Sequence, residues 1–307
     1  MLAYPMTGIG RYTYELTRRL VRGATEEWVL LTPQPVPPGI RAEFGDHVIW
    51  VQGDHDGRAE PWVQRRGRQE LRARSGSVFL GLANSIPFLG PRRATSALLV
   101  YDLTSFEVPL LTHPQDLAKG FLINLPSMMF ADRLLAISPA VERALHRWLP
   151  WRRQRTVALP PGGTPLAARS TRAWSERRGF VAVGAHPRKN TGLLLQAYAR
   201  LAEAVRLQHP LHIVARHIPS AIGRQLRNLG LEEQVRIDHD ATDERLADLY
   251  SRSIALVYPS TYEGLGLPVA EALLMGLPAI IPGGSPMEEL LDEAGIVVPA
   301  LSAESLA

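Results

Sequence analysis

The chain reads as two doubly wound α/β domains joined by a short linker, and three observations predict this. Short apolar runs alternate with helical patterns throughout the second half, the same alternation recurs in the first half, and Pro160-Pro161-Gly162-Gly163 interrupts both. A length of 307 residues suits two domains of roughly 150 residues each. The expected boundaries are an N-terminal domain over 1–160, a linker over 161–178 and a C-terminal domain over 179–307.

Taken in order, Gly8-Ile9-Gly10 opens a helix over Arg11 to Val21 as a strand-to-helix turn would. Strands are expected at Trp28 to Leu31, Val48 to Val51, Val78 to Leu82, Ala97 to Tyr101, Leu134 to Ile137 and Thr156 to Leu159. Helices fit Trp62 to Arg74, Gln115 to Phe130 and Ala140 to Trp148. Beyond the linker, strands are expected at Phe180 to Val183, Leu211 to Ala215, Gln234 to Ile237, Ile254 to Tyr258, Ala279 to Ile281 and Ile296 to Val298, with a helix over Leu193 to Val205 after the first. Runs such as Ile254-Ala255-Leu256-Val257 lack polar alternation, as strands of a parallel sheet covered by helices on both faces do. Only Met1 to Thr7, with Pro5 among them, precede the first helix, and Ser302 to Ala307 begin another. The expectation is therefore a chain that lacks the first strand of one domain and the end of the other.

Composition excludes several classes. Absence of cysteine removes disulfides, thiol catalysis and cysteine-bound metal clusters, and fits a reducing compartment. No apolar run approaches the roughly 18 residues a spanning helix needs, so a cytoplasmic location is expected. Before residue 160 lie 20 of the 34 basic but only 14 of the 30 acidic residues, which concentrates positive charge in the first half. That charge is nearly all arginine; lysine occurs only at Lys119 and Lys189, which marks 189 as a place that uses a compact ammonium. His209, His212 and His217 have no acidic partner at metal-binding spacing, and no metal is expected. Gly8-Ile9-Gly10 lacks the third glycine of a dinucleotide fingerprint.

Chemistry concentrates in two segments. Pro259-Ser260-Thr261-Tyr262-Glu263-Gly264-Leu265-Gly266-Leu267-Pro268-Val269-Ala270-Glu271 runs from a buried strand into a helix whose first turn Pro268 marks. Glu263 lies in the loop and Glu271 in the first turns of the helix, so both can face the crevice at the carboxyl edge of the sheet. Gly264 and Gly266 let backbone N–H groups approach an anion, and a ribose diol suits a carboxylate acceptor. The second segment, Val183-Gly184-Ala185-His186-Pro187-Arg188-Lys189-Asn190, follows the first strand of the same domain. Arg188 offers a bidentate fork and Lys189 a point charge, together suited to a diphosphate. Each acid alone reads as a solvated loop residue or a helix-dipole partner, and each cation as a solvated loop residue; the joint pattern is what points to a site.

These segments resemble the family 4 retaining glycosyltransferases of the GT-B fold, in particular members that transfer mannose. The matching motifs are Glu263, seven residues, then Glu271; the loop Pro187-Arg188-Lys189-Asn190; and Thr7-Gly8-Ile9-Gly10-Arg11-Tyr12, which is similar to a glycine loop placed against the donor. Asp132-Arg133-Leu134-Leu135-Ala136-Ile137-Ser138 and Val157 to Gly163 are similar too, and the resemblance runs from about Thr7 to the end. It implies two Rossmann-like domains facing across a cleft, with an acceptor-side N-terminal domain and a C-terminal domain that binds a nucleotide sugar. Glu271 would bind the ribose, Glu263 the hydroxyls of the donor sugar, and Arg188 with Lys189 the diphosphate. Gly8, Gly10, Gly264, Leu265, Gly266 and Leu267 would complete the donor site, and Asp102 would act near the sugar. No metal and no protein nucleophile would be required, since the departing phosphate oxygen accepts the proton of the acceptor during front-face attack. Two positions depart from the family pattern: Tyr101 stands where many members have His, and Ala185 where an arginine often follows the glycine of the strand.

The function so implied is metal-independent transfer of a sugar, with GDP-mannose the specific donor expectation, to a saccharide or lipid-linked acceptor. A degenerate relative that binds without catalysis is the alternative. The arginine-rich helix of Arg65, Arg66, Arg68, Arg72 and Arg74 reads first as a solvated face; its functional reading, reinforced by Phe121 to Phe130, is contact with an anionic membrane at its inner face or with a lipid-diphosphate acceptor. Aromatics are not interleaved with those arginines, so no nucleic-acid partner is expected.

Overall fold

A computed structural model of the protein describes residues 8–53, 59–74, 76–88, 94–162, 172–291 and 293–307. The chain divides into two compact units, residues 1–161 and 162–307. Met1 to Thr7 and most of the linker lie outside the described residues.

In the first unit, helix Gly8–Val21 buries Gly10, Thr13, Thr17 and Val21, a stripe at helical spacing made mostly of small side chains. Small residues there let the helix backbone approach its neighbours, and Thr13 spans the gap with hydrogen bonds to Tyr101 Oη (2.8 Å) and the Leu82 carbonyl (3.4 Å). The helix starts earlier than the sequence pattern suggests: Gly8 and Gly10 form its first turn rather than a preceding loop, while Thr7 is not among the described residues. Strands β1 (Trp28–Thr32) and β2 (Val48–Gln52) pair in parallel, with a core of Val21, Val36, Ile40, Phe44 and Val48 beside them. A second parallel sheet runs in the order β3 (Val78–Gly81), β4 (Thr95–Val100), β5 (Arg133–Ala136), β6 (Thr156–Ala158). The helix expected over Gln115 to Phe130 runs without a gap from Pro114 to Phe130 and carries a π-turn at Gly120–Asn124, with the junction residues Lys119, Gly120, Asn124 and Leu125 all right-handed helical. Pro126 causes this, because it has no N–H to donate and its ring collides with the carbonyl four residues back, so the chain widens before it.

The second unit is a six-stranded parallel sheet in the order β12-β11-β10-β7-β8-β9. Its strands are β7 (Phe180–Val183), β8 (Leu211–Val214), β9 (Val235–Asp238), β10 (Ala255–Val257), β11 (Ala279–Pro282) and β12 (Gly295–Val298). Neighbouring residues on one strand enter different cores, Val181 and Leu256 on one face, Ala182 and Val257 on the other, as a sheet covered on both faces requires. The helix expected over Leu193 to Val205 is broken into Thr191–Arg200 and Glu203–Gln208. At the break, Arg206 donates to the carbonyls of Ala199 and Leu201, so a side chain takes acceptors that a continuous helix would have used. From β7 the chain moves outward through β8 and β9, then returns to pair β10 with the other side of β7 and continues to β12. The topological switch therefore falls between β7 and β10, where the loops that leave the two strands diverge and open α/β sheets take their ligands.

Candidate functional site

Both sequence segments singled out for chemistry leave the sheet at this switch. After β7, Gly184 takes φ +87°, and Pro187–Lys189 form one 3₁₀ turn that ends in Asn190 at φ 52°. A left-handed conformation comes cheaply to Gly and is tolerated by Asn. At 184 a Cβ would also lie 3.3 Å from Lys189 Cε, so the missing side chain makes room for the lysine stem. After β10, residues Tyr258 to Gly266 form the facing loop, and Gly266, also left-handed, precedes helix Leu267–Leu274. A Cβ at Gly266 would lie 2.5 Å from Met287 Cγ, so only glycine fits on both grounds.

The two loops are stapled together. Asn190 Nδ2 donates to the Pro259 carbonyl (2.8 Å) and to Thr261 Oγ1 (2.7 Å). The Arg188 carbonyl accepts from Thr261 N (2.8 Å). Residues some seventy positions apart thus form one rigid rim.

Inside the rim, Lys189 Nζ lies 2.5 Å from Glu263 Oε1, with side chains 13% and 9% exposed. Lys189 also donates to the Tyr258 hydroxyl and approaches its ring to 4.3 Å from the centroid. Ser260 Oγ donates to the same Glu263 oxygen at 2.6 Å. Burial pushes the Glu263 carboxyl up, but Lys189, Arg188 and the hydrogen bonds from Lys189 and Ser260 outweigh it, so Glu263 titrates below its ordinary range and is ionised at neutral pH. The fully buried Tyr258 is pushed well above its usual value by desolvation and by the Glu263 charge, against the opposing pull of Arg188, and stays neutral.

The structure thus brings together Arg188, Lys189 and Glu263. Leu265 is buried beneath the loop, and Glu271 sits half-buried on helix Leu267–Leu274, which Gly266 and Leu267 start beside the rim. Gly264 is buried in the same loop. Gly8, Gly10 and Asp102 belong to the other unit. There Asp102 follows the carboxyl end of β4, and its Oδ1 accepts from Thr104 N (3.0 Å). Tyr101, where the resemblance expects histidine, is buried, and its hydroxyl bonds to Thr13 Oγ1 (2.8 Å) and the Leu82 carbonyl (3.2 Å). Among the described residues no group of three or more His, Asp or Glu is placed to hold a metal ion.

Tyr258, Ser260 and the clamp role of Asn190 were not legible in the sequence. Asn190 left one usable trace, an Asn directly before the helix that starts at Thr191, where left-handed and capping conformations are frequent. Tyr258 left none, because a tyrosine at the end of an apolar strand reads as core.

Comparison with known proteins agrees with this geometry. The family of glycosyl transferases group 1 matches residues 177–307. The O-antigen chain mannosyltransferase B of Escherichia coli is 28% identical across 99% of this chain and 87% of its own length. Among solved structures, WaaG, a glycosyltransferase involved in lipopolysaccharide biosynthesis, superposes with a TM-score of 0.71 at 16% identity, over 99% of this chain and 86% of that one. The sucrose-phosphate synthase of Thermosynechococcus elongatus gives 0.71 at 18% identity, over 98% and 82%. Residues 177–307 thus match the glycosyl transferases group 1 family, and the two parallel-sheet units have the Rossmann-like fold of GT-B glycosyltransferases.

Proposed function

We propose that the protein transfers mannose from a nucleoside-diphosphate donor, GDP-mannose, to a saccharide or lipid-linked acceptor with retention of anomeric configuration. The observation that carries this reading is the convergence of Arg188, Lys189 and Glu263 between β7 and β10. Similarity to an O-antigen chain mannosyltransferase supports the choice of sugar and of a polysaccharide acceptor. In this reading residues 179–307 bind the donor and residues 1–160 present the acceptor. Arg188 and Lys189 take up charge that develops on the departing diphosphate, a role that needs no metal. Glu263, held ionised by Lys189, accepts hydrogen bonds from hydroxyls of the donor sugar, and Glu271 accepts from the ribose. Amides of Gly264, Leu265, Gly266 and Leu267 line the pyrophosphate, Gly8 and Gly10 serve as further donor-binding residues, and Asp102 acts on the acceptor hydroxyl.

Calorimetry with a panel of nucleotide sugars tests the donor, with Glu271→Ala weakening binding about tenfold or more through loss of a charge-assisted hydrogen-bond pair. Failure of folded protein to bind any donor ends the proposal. Donor binding without a transfer product selects the non-catalytic alternative. NMR of the product anomer tests retention, and activity unchanged by chelator tests metal independence.

A peripheral membrane contact is part of this reading, carried by the arginine helix and, elsewhere on the first unit, by an exposed aromatic surface. At that helix Glu70 pairs with both Arg66 and Arg74 and offsets one of their two charges. Elsewhere Phe106 meets Phe121 edge-on (5.0 Å between ring centroids) and packs tilted against Trp148 (5.6 Å), and Leu110, Leu122 and Trp151 stand 98%, 69% and 66% exposed. Lys119, Arg153 and Arg155 accompany them in the same segments, a mixture of aromatic and cationic groups suited to an anionic headgroup layer. Among the described residues no helix is long and apolar enough to cross a membrane. Trp151→Ser should weaken co-sedimentation with phosphatidylglycerol vesicles, and equal binding to neutral vesicles refutes the contact.

A further inference from the structure

At the carboxyl ends of β3 and β4 a cavity of about 20 Å³ opens between Asn84, Asp102, Thr104, Phe106, Asn124 and Met128. Its volume admits one water-sized group. Asn124 is the last residue of the π-turn forced by Pro126, and the widened turn shifts the helix register by one residue, about 100° around the axis. Gly120 lets that turn press close, since a Cβ there would lie 2.5 Å from Ser105 Oγ. The Oδ1 of Asn124 is buried and accepts no hydrogen bond from any described residue. Asn84 is held left-handed at φ 55°, and its Oδ1 accepts from Tyr101 N (3.0 Å), which leaves its NH₂ group as a donor. Asp102 uses Oδ1 on Thr104 N and retains Oδ2 as an acceptor. A buried acceptor without a donor is costly, and a group that both donates and accepts removes that cost.

We infer that this cavity is a subsite for one hydroxyl of the acceptor saccharide, with Asn124 as the residue that selects it. The hydroxyl donates to Asn124 Oδ1 or Asp102 Oδ2 and accepts from Asn84 Nδ2, while Phe106 and Met128 supply apolar walls for the carbon face of a pyranose. An ammonium could satisfy only the acceptors, and an apolar group would leave Asn124 as it stands. The inference rests on the proposed glycosyl transfer and adds to it where, and through which side chains, an acceptor is discriminated.

The test uses the full chain with GDP-mannose and four methyl glycosides as acceptors, those of mannose, glucose, galactose and N-acetylglucosamine, each with its monodeoxy analogues. NMR line broadening of the glycosides reads binding independently of turnover. For the best glycoside, one deoxy analogue should lose about tenfold in affinity and in kcat/KM on the natural protein. On Asn124→Leu that difference should collapse to less than about threefold, whereas Asn124→Asp, which keeps an acceptor oxygen at the position, should retain it. Donor affinity measured on the same variants reports folding and the integrity of the other unit. Unchanged donor affinity with undiminished discrimination in Asn124→Leu overturns the inference, as does intact donor binding with no glycoside bound by the natural protein. Loss of donor binding by the natural protein is a different result, and sinks the proposed function instead.

Discussion

Lys189→Met isolates the electrostatic centre of the donor loop. The replacement keeps most of the stem volume and removes the ammonium from a pair whose side chains are only 13% and 9% exposed. Removal of one partner from a buried ion pair costs about 3–5 kcal/mol. Ser260 and Arg188 remain beside Glu263, so the lower end, about 3 kcal/mol, applies. For a unit of this size such a loss lowers Tm by about 10 °C. The pH dependence carries the diagnostic sign. In the natural protein the folded Glu263 pKa lies below its ordinary value of 4.5, so its contribution is fully present above that value and fades as pH falls through the lowered one. Without the ammonium, burial dominates and pushes the carboxyl up, so the deficit of the variant is largest near neutrality and shrinks on acidification. Urea unfolding followed by circular dichroism at pH 7 and pH 4.5 measures both. Lys189→Met with Glu263→Gln removes both charges and should regain most of the loss at pH 7. A single variant within about 0.5 kcal/mol of the natural protein at pH 7, or a deficit that grows in acid, refutes the buried-pair account.

Other consequences are simpler to state. Asn190→Gly keeps the left-handed conformation but severs the bonds to Pro259 and Thr261, and should raise the donor KM about tenfold with little change in kcat; equal KM values would show that the clamp is dispensable. Gly266→Ala meets both a positive φ and Met287, and should cost about 2–4 kcal/mol in urea unfolding; Met287→Ala in the same chain should return part of it, and no recovery would contradict the steric account. Tyr101→Phe removes the hydroxyl that ties Thr13 and the Leu82 carbonyl together, for a loss of about 1–2 kcal/mol. Burial holds the Tyr101 hydroxyl far above its usual range, so the variant and the natural protein should share one pH profile between pH 6 and 9, and divergence there would assign Tyr101 a titrating role.

Local pattern carried much of this fold because parallel strands covered on both faces must be apolar without alternation, as Ala255–Val257 and Phe180–Val183 are. It missed two local departures: Pro126 opened the helix at 120–124 into a π-turn, and Arg206 took carbonyls that would have continued the helix after Arg200. Pairing Glu263 with Glu271 and Arg188 with Lys189 was legible because the glycines and Pro268 between and after them mark loops at strand ends. That the first acid and the lysine would bind each other was not, since they stand 74 positions apart.

By itself the sequence determined the alternation of strand and helix, the two segments that carry charge at strand ends, and the glycines whose backbone conformation those loops need. These are properties of residues near one another in the chain, set by burial period and by backbone sterics. Only the tertiary structure decided that β10 lies beside β7, which brings Tyr258 and Ser260 into the site and turns Asn190 into a clamp. Strand order depends on which surfaces bury best together across the whole unit, and a side chain acquires its partner from that choice rather than from its neighbours in sequence.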